Sequence, residues 1–381
     1  MKIYIKYTIL LSLSIIMCCC NKPNKSANYQ KAIKADIDNQ DEVSIFDIFE
    51  KIEVIPLETN DSCLIRGINK VICHNNLFYI FDEFENKLLA FDNTGKFNYK
   101  IDDKGQGPED YIRLSDFDID KEKDILSLLD PTKSEISEYN LEGHFLRKYK
   151  LPEIIGAYDA IKHLNNNVIA FWTYDYDNRL KFISKDNNQI FNECFPEEND
   201  MFRRVTMQFV VYENYLSRSV DNNVYKILPE GTTSIAYTWD FGKLNVNHST
   251  LNKPDPRKMG REEISNFGKK ISASEVINYI FTRTGAGGNS DYIYSQILRK
   301  DKYINIWHHK TNNKTVVFEK TTEGACFFPV FWTEEFVIGN IPEVYFNAVL
   351  SDGILDEENI IKKNQRSEDD NPILVKYYFK K

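Results

Sequence analysis

Proline and glycine are scarce, 12 and 16 among 381 residues, while 42% of the residues are apolar and 28% charged. A chain of that composition can bury a sizeable core, and general disorder is excluded. An excess of positive charge is missing too: 48 Lys and Arg stand against 57 Asp and Glu, net −9. A general nucleic-acid binder needs a basic footprint, so no nucleic-acid partner is expected. The sequence holds no H-E-x-x-H, G-x-S-x-G or phosphate-loop pattern and no C-x-x-C pair, which removes the common metal, acyl-transfer, nucleotide and redox motifs. What is abundant is aromatic: 25 Phe, 22 Tyr and 4 Trp. Phe and Tyr suit pleated, half-buried surfaces, so the bias points to β structure.

At the N-terminus, Lys2 and Lys6 precede an apolar run from Tyr7 to Met17, then Cys18-Cys19-Cys20-Asn21. A basic start, a short apolar stretch and a sharp polar break describe a secretory signal. The run is too short for a transmembrane helix, which needs about 20 apolar residues. A cysteine directly after such a run resembles the bacterial lipoprotein box, which implies lipidation at Cys19 or Cys20 and a bilayer partner through that anchor. Residues 1–18 are then the signal peptide, and the mature chain carries net charge −11. Residues 19–42 are polar and aperiodic, as a flexible tether would be. They lack the acidic cluster that follows the cysteine in surface-exported lipoproteins, so a periplasm-facing position in the cell envelope is expected. Cys63, Cys73, Cys194 and Cys326 are even in number, which in an exported protein permits disulfides, but their irregular spacing favours small buried hydrophobes left as free thiols.

One pattern recurs along the remainder: an apolar residue, three mostly polar residues, then Gly or Asn. It appears as Phe91-Asp-Asn-Thr-Gly95, Tyr139-Asn-Leu-Glu-Gly143, Ile183-Ser-Lys-Asp-Asn187 and Ile227-Leu-Pro-Glu-Gly231, with a looser copy from Phe318 to Gly324. The first four turn residues are 44–48 positions apart. Each marks the bend between a unit's last two strands, where positive φ is needed. Four short strands per such repeat predict an all-β fold, a β-propeller with four-stranded blades. The units fall near 66–102, 114–151, 158–196, 203–244 and 290–329, with a sixth from 331–350 and 373–379. The strand at 52–57 closes the last blade, so a six-bladed propeller spans 43–381. Asp255-Pro256 opens a short helical insertion, within 250–290, that ends at Gly268. The acidic stretch 352–370 reads as an exposed loop.

Ile55-Pro56-Leu57-Glu58-Thr59, Phe91-Asp92-Asn93-Thr94-Gly95-Lys96-Phe97, Gly105-Gln106-Gly107-Pro108 and Asn371-Pro372-Ile373-Leu374-Val375 stand in that order along the chain. Together they resemble the six-bladed β-propeller lipoproteins of Gram-negative gut bacteria, propellers of the NHL and TolB-like kind. The resemblance spans 43–381 and implies fold and envelope location rather than an activity. The family continues its Gly-Pro motif with Gly-Glu-Tyr, where this chain has Glu109-Asp110-Tyr111.

Candidate site residues follow from topology. Loops after each second strand and between blades share one face, which should gather residues 82–86, 105–111, 130–134, 172–178, 217–223 and 308–313. Among them Trp172, Tyr174, Asp175, Tyr176 and Asp177 combine aromatics with carboxylates, as ligand-binding loops often do. This points to a non-catalytic binding or scaffolding propeller, a monomer that recognises a protein, peptide or glycan and needs no cofactor. The alternative is a hydrolase or lyase with a divalent metal in the central channel, held by Asp116, Asp118, Asp159 and Gln208 near the starts of inner strands. His308-His309 reads as an exposed loop pair rather than a metal site.

Overall fold

The computed structural model describes residues 32–174, 178–195, 214–218, 220–246, 258–272, 278–282, 286–341 and 345–380. Six sheets form the six blades of a β-propeller ring. Blade one runs outward from the channel as Lys70–His74, Leu77–Asp82, Lys87–Asp92 and Phe97–Ile101. Blade two is Asp116–Asp120, Ile125–Asp130, Glu135–Asn140 and Phe145–Lys150. Blade three is Tyr158–His163, Val168–Thr173, Leu180–Ser184 and Gln189–Cys194. Blades two and three lie within two residues of the expected units, and blade one starts four residues later than its unit and ends within one.

The expected turn chemistry holds in the early blades. Gly95 and Gly143 have φ of +89° and +82°. A Cβ at Gly95 would stand 2.1 Å from the Pro56 carbonyl, so both conformation and close approach demand glycine there. In blade three the positive φ belongs to Asn188 rather than Asn187. The copy ending at Gly324 is not a turn within a blade. The outer turn of blade five is 310–313, with Asn313 at φ +56°, and Gly324 lies in the crossing to blade six.

Blade five also begins earlier than expected. Its first strand is two short pieces, Ile280–Phe281 and Gly287–Gly288, both paired to Tyr292–Arg299, followed by Lys302–His309 and Lys314–Phe318. The helix is Arg261–Ser272. It starts after Gly260, whose N–H donates to Glu263, and passes through Gly268. Asp255 and Pro256 lie outside the described residues. The stretch 352–370 is not a bare loop: it carries the helix Glu357–Asn364, whose buried Asn359 accepts from Val54 N–H at 2.7 Å and donates to the Ile52 carbonyl.

Blade six is Pro329–Trp332, Phe336–Asn340, Ile373–Phe379 and, outermost, the N-terminal strand Phe49–Pro56. The closing strand runs antiparallel to Ile373–Phe379, from Phe49 opposite Phe379 to Pro56 opposite Ile373. Residues upstream of it, expected as tether, are part of the ring from Ala32 onward. Ala32–Lys34 pairs in parallel with the last strand of blade four, outside Tyr215–Ser217, Asn223–Leu228 and Thr232–Asp240. Asp41 then exchanges bonds with Val317 of blade five, and Arg299 donates to the Ile37 carbonyl at 2.7 Å. Ser44 and the Ile45 N–H both donate to the Glu323 carboxylate. Residues 32–56 thus form a strap across blades four, five and six. Residues 19–31, with both candidate lipidation cysteines, lie outside the described residues.

The core consists of apolar layers between neighbouring blades. The layer between blades five and six is aromatic: Phe49, Tyr294, Trp307, Phe327, Trp332, Tyr377 and Phe379 meet at ring distances of 5.0–6.1 Å. Blade six meets blade one through Asn371. Its amide donates to the Glu58 and Cys63 carbonyls at 2.6 and 2.8 Å and accepts from Ile65 N–H at 2.7 Å. Truncating Asn371 leaves those three groups without their partner in a buried junction. Asn371→Ala should therefore lower stability by about 2–3 kcal/mol in urea unfolding, whereas exposed Asn364→Ala should be near neutral.

Candidate binding face

The loops after the second strands and the crossings between blades interlock on one face. At the end of its strand, buried Asp82 accepts from Arg66 N–H at 2.7 Å and from Glu85 N–H at 3.2 Å. Asp130 repeats the arrangement one blade on, accepting from Ile112, Thr132 and Lys133 N–H groups. Each carboxylate ties its own loop to the crossing from the preceding blade. Asn86 adds a second tie, accepting from Leu114 N–H at 2.6 Å and donating to the Ile112 carbonyl. In the Gly105–Tyr111 loop, a Cβ at Gly105 or Gly107 would meet the Asp110 carboxylate at 2.2 or 2.9 Å. The Gly107 N–H donates to that carboxylate, and Lys133 and Lys148 donate to the Asp110 carbonyl. The motif is a folded brace.

On these braced loops, large apolar side chains face solvent. Phe84 is 65% exposed and Ile155 70%, with Leu64, Ile112 and Tyr174 at 40–46%. Phe84 is also held in place. Its ring edge lies where a Cβ on Gly67 would be, and the Arg66 guanidinium sits 5.6 Å from its centre. Arg66 pairs with Glu85 at 3.6 Å and Arg113 with Glu83 at 4.0 Å. An exposed aromatic held by a packed glycine and an arginine has the chemistry of an interface anchor. The chain marks it only weakly, as Phe84 between two acids in a loop.

Of the aromatic loop singled out from the sequence, Trp172 is 1% exposed. It packs against Phe195 and beneath Arg179, so it belongs to the core between blades three and four and is no ligand contact. Tyr174 is exposed on the face. Asp175, Tyr176 and Asp177 lie outside the described residues. Residues 310–313 stand at the opposite end of blade five from this face, because that blade starts one strand earlier than the sequence suggested. His308 and His309 end a strand rather than form a loop. His308 is buried, with its Nδ1 3.0 Å from the Thr315 hydroxyl, and His309 meets the Tyr292 ring at 4.9 Å.

The channel carboxylates have other partners. Asp116, Asp118 and Asp120 alternate along the first strand of blade two and are all buried. Asp116 accepts from Lys70 of blade one at 2.9 Å and from Ile161 N–H of blade three at 2.9 Å. Asp118 accepts from Lys162 at 3.2 Å and from His163 N–H at 2.7 Å. Asp120 accepts from Lys185 at 2.7 Å. Burial pushes the Asp116 carboxyl up against the opposing pull of Lys70. Burial also raises Asp118, but Lys162, Lys70 and His163 outweigh it and leave this carboxyl below its usual range. Asp159 lies on the neighbouring strand, half-buried, and Gln208 lies outside the described residues. Among the described residues no group of three His, Cys, Asp or Glu could hold a metal ion. Among the described residues, Cys63, Cys73, Cys194 and Cys326 are free thiols.

His163 stands among these charges with Nε2 3.0 Å from the Ser127 hydroxyl, and burial pushes its imidazole down to about 4. The unfolded chain, with an ordinary value near 6.5, takes up a proton first as pH falls. His163 therefore stabilises the fold less and less as pH drops from about 6.5 towards 4. In urea unfolding at about pH 7 and about pH 5, His163→Gln should lose roughly 1–2 kcal/mol less than the parent between the two conditions.

The fold is shared with solved structures. A protein of Bacteroides fragilis described as exported superposes with TM-score 0.70 at 18% identity, covering 92% of this chain and 99% of the other. A member of the DUF4221 family from Bacteroides vulgatus gives TM-score 0.53 at 12% identity, covering 90% and 99%. At such identities the likeness shows the fold alone. No curated protein matches the chain. The motif resemblance holds at the level of a six-bladed propeller family without an assigned activity. A family model matches residues 29–378, and the chain belongs to that family, described as a domain of unknown function, DUF4934.

Proposed function

We propose that this protein is a non-catalytic binding propeller of the cell envelope, held to a bilayer by lipid at Cys19 or Cys20. On this reading it recognises a protein, peptide or glycan on its loop face. The observation that carries the reading is the set of solvent-facing Leu64, Phe84, Ile112, Ile155 and Tyr174 that one face collects, on loops braced by buried hydrogen bonds. Apolar side chains exposed together on a rigid support mark interaction sites rather than loose chain. The hydrolase or lyase alternative has less to draw on, since Asp116 and Asp118 bind lysines and main-chain N–H groups of neighbouring blades. Export of the Bacteroides fragilis relative, as its description states, supports the envelope location. No helix among the described residues is long and apolar enough to cross a membrane.

Screening arrays of envelope glycans and peptides supplies the ligand for the decisive comparison. Phe84→Ala or Tyr174→Ala should weaken a hit by about 2 kcal/mol, roughly thirtyfold. Glu142→Ala, on a turn at the other end of blade two, should leave it unchanged. Equal binding by all three variants would remove the loop face from consideration.

The anchor is tested separately. Replacing Cys18, Cys19 and Cys20 together by Ser should move the protein from the membrane to the soluble fraction. Retention in the membrane fraction would count against lipid attachment.

A further inference from the structure

Between residues 41–48 of the strap and the outer half of blade five lies a groove of about 410 Å3. It opens at the 310–313 end of the blade, opposite the loop face, so it is independent of the site proposed above. The strap side contributes Asp41, Glu42 and Asp47, and Lys314 is the only Lys or Arg lining the groove among the described residues. Two of the carboxylates are fixed in place: Asp41 accepts from Val317 N–H at 2.8 Å and Asp47 from Ser44 N–H at 3.1 Å. Acidity alone would describe a solvated rim. Here the facing wall is aromatic, built from Tyr292, His309 and Trp307.

The rings are held rigidly. Tyr292 stacks on Phe379 at 5.7 Å and meets Trp307 and His309 at steep angles, 5.7 and 4.9 Å away. Three ring neighbours leave little flat Tyr292 surface for a sugar. The charges of the lining favour a positive guest, three carboxylates standing against one lysine. Carboxylates across a groove from an apolar, aromatic wall suit a cation on an apolar stem, because the carboxylates attract the charge and the wall takes the stem. Val43, Ile48 and Val316 supply apolar surface for the stem.

We propose that this groove binds an organic cation, an ammonium or guanidinium on a short apolar stem, as a free amine or as a Lys or Arg side chain of a peptide. The head lies among Asp41, Glu42 and Asp47, and the stem lies along Val43, Ile48 and Tyr292.

Titration calorimetry on the full chain, in low salt, tests this with butylammonium, a capped lysine peptide, butanol and butyrate. At least one of the two cations should bind saturably, and butanol and butyrate should not. Glu42 and Lys314 are exposed at the rim, so Glu42→Gln should weaken the cation roughly threefold and Lys314→Gln should tighten it by a similar factor. Added salt should weaken the parent. Binding of the peptide alone identifies a peptide source and binding of the amine alone a free amine; either supports the site. Failure of both cations, binding of butanol as tight as of butylammonium, or indifference to both rim substitutions in variants that melt like the parent would overturn it.

Discussion

The ring depends on one non-local pairing, the antiparallel contact of Phe49–Pro56 with Ile373–Phe379. These strands lie more than 300 residues apart, so closure costs chain entropy that local contacts cannot offset. The junction answers with dense, directed bonding. Glu58 N–H donates to the Gly95 carbonyl at 2.8 Å, and the Glu58 carboxylate accepts from Phe97 N–H at 2.9 Å. Asn371 N–H donates to the Thr59 hydroxyl at 2.9 Å while its side chain holds residues 58, 63 and 65. Three of the four motifs that carried the family resemblance therefore meet at one place. They are the closure device of the ring, which explains why they point to fold and say nothing of a ligand.

A propeller has a second exposed boundary, the channel edges of its first strands, where every other N–H lacks a strand partner. In blades two and three this edge is capped across the blade boundary, since Asp116 and Asp118 take the N–H groups of Ile161 and His163. Lys70 and Lys162 then balance the buried charge. Alternating Asp residues on an inner strand look like metal ligands in a linear sequence. In space Asp116 and Asp118 are each matched by a lysine and by an N–H from the first strand of blade three. The types were right for a metal and the partners were not, because partners come from blades more than 40 residues away.

Where a unit repeats its full pattern, local chemistry decided the architecture, and blades one to three were legible almost to the residue. Gly95 and Gly143 sit at turns no other residue fits well, and the alternation of 77–82 or 125–130 needs no distant help. Blade five was not legible at its start. Its first strand is two dipeptides, one of them Gly287–Gly288, too short to show alternation. That omission moved the predicted loop 308–313 to the wrong end of the blade. The strap escaped for a related reason. Residues 32–42 carry few apolar side chains, yet Ile33 and Ile37 are buried and the segment docks through its backbone and through Arg299. Backbone docking leaves no pattern in side chains.

The same distinction separates Trp172 from Phe84. Both are aromatics near the end of a second strand or in the loop after it, and composition alone favoured Trp172 with its acidic neighbours. Trp172 is the penultimate residue of its strand, where the side chain points between blades, and it fills the layer against Leu180, Phe182 and Leu216. Phe84 stands two residues past the end of its strand, beyond the last layer, with Gly67 beneath it and Arg66 beside it. A three-residue difference in position relative to the strand end thus decides whether a ring stabilises the fold or faces solvent. The closure junction and the capped inner edges have their polar groups occupied by one another. The loop face keeps its braces inside and apolar side chains outside, which is why we propose recognition there and not in the channel.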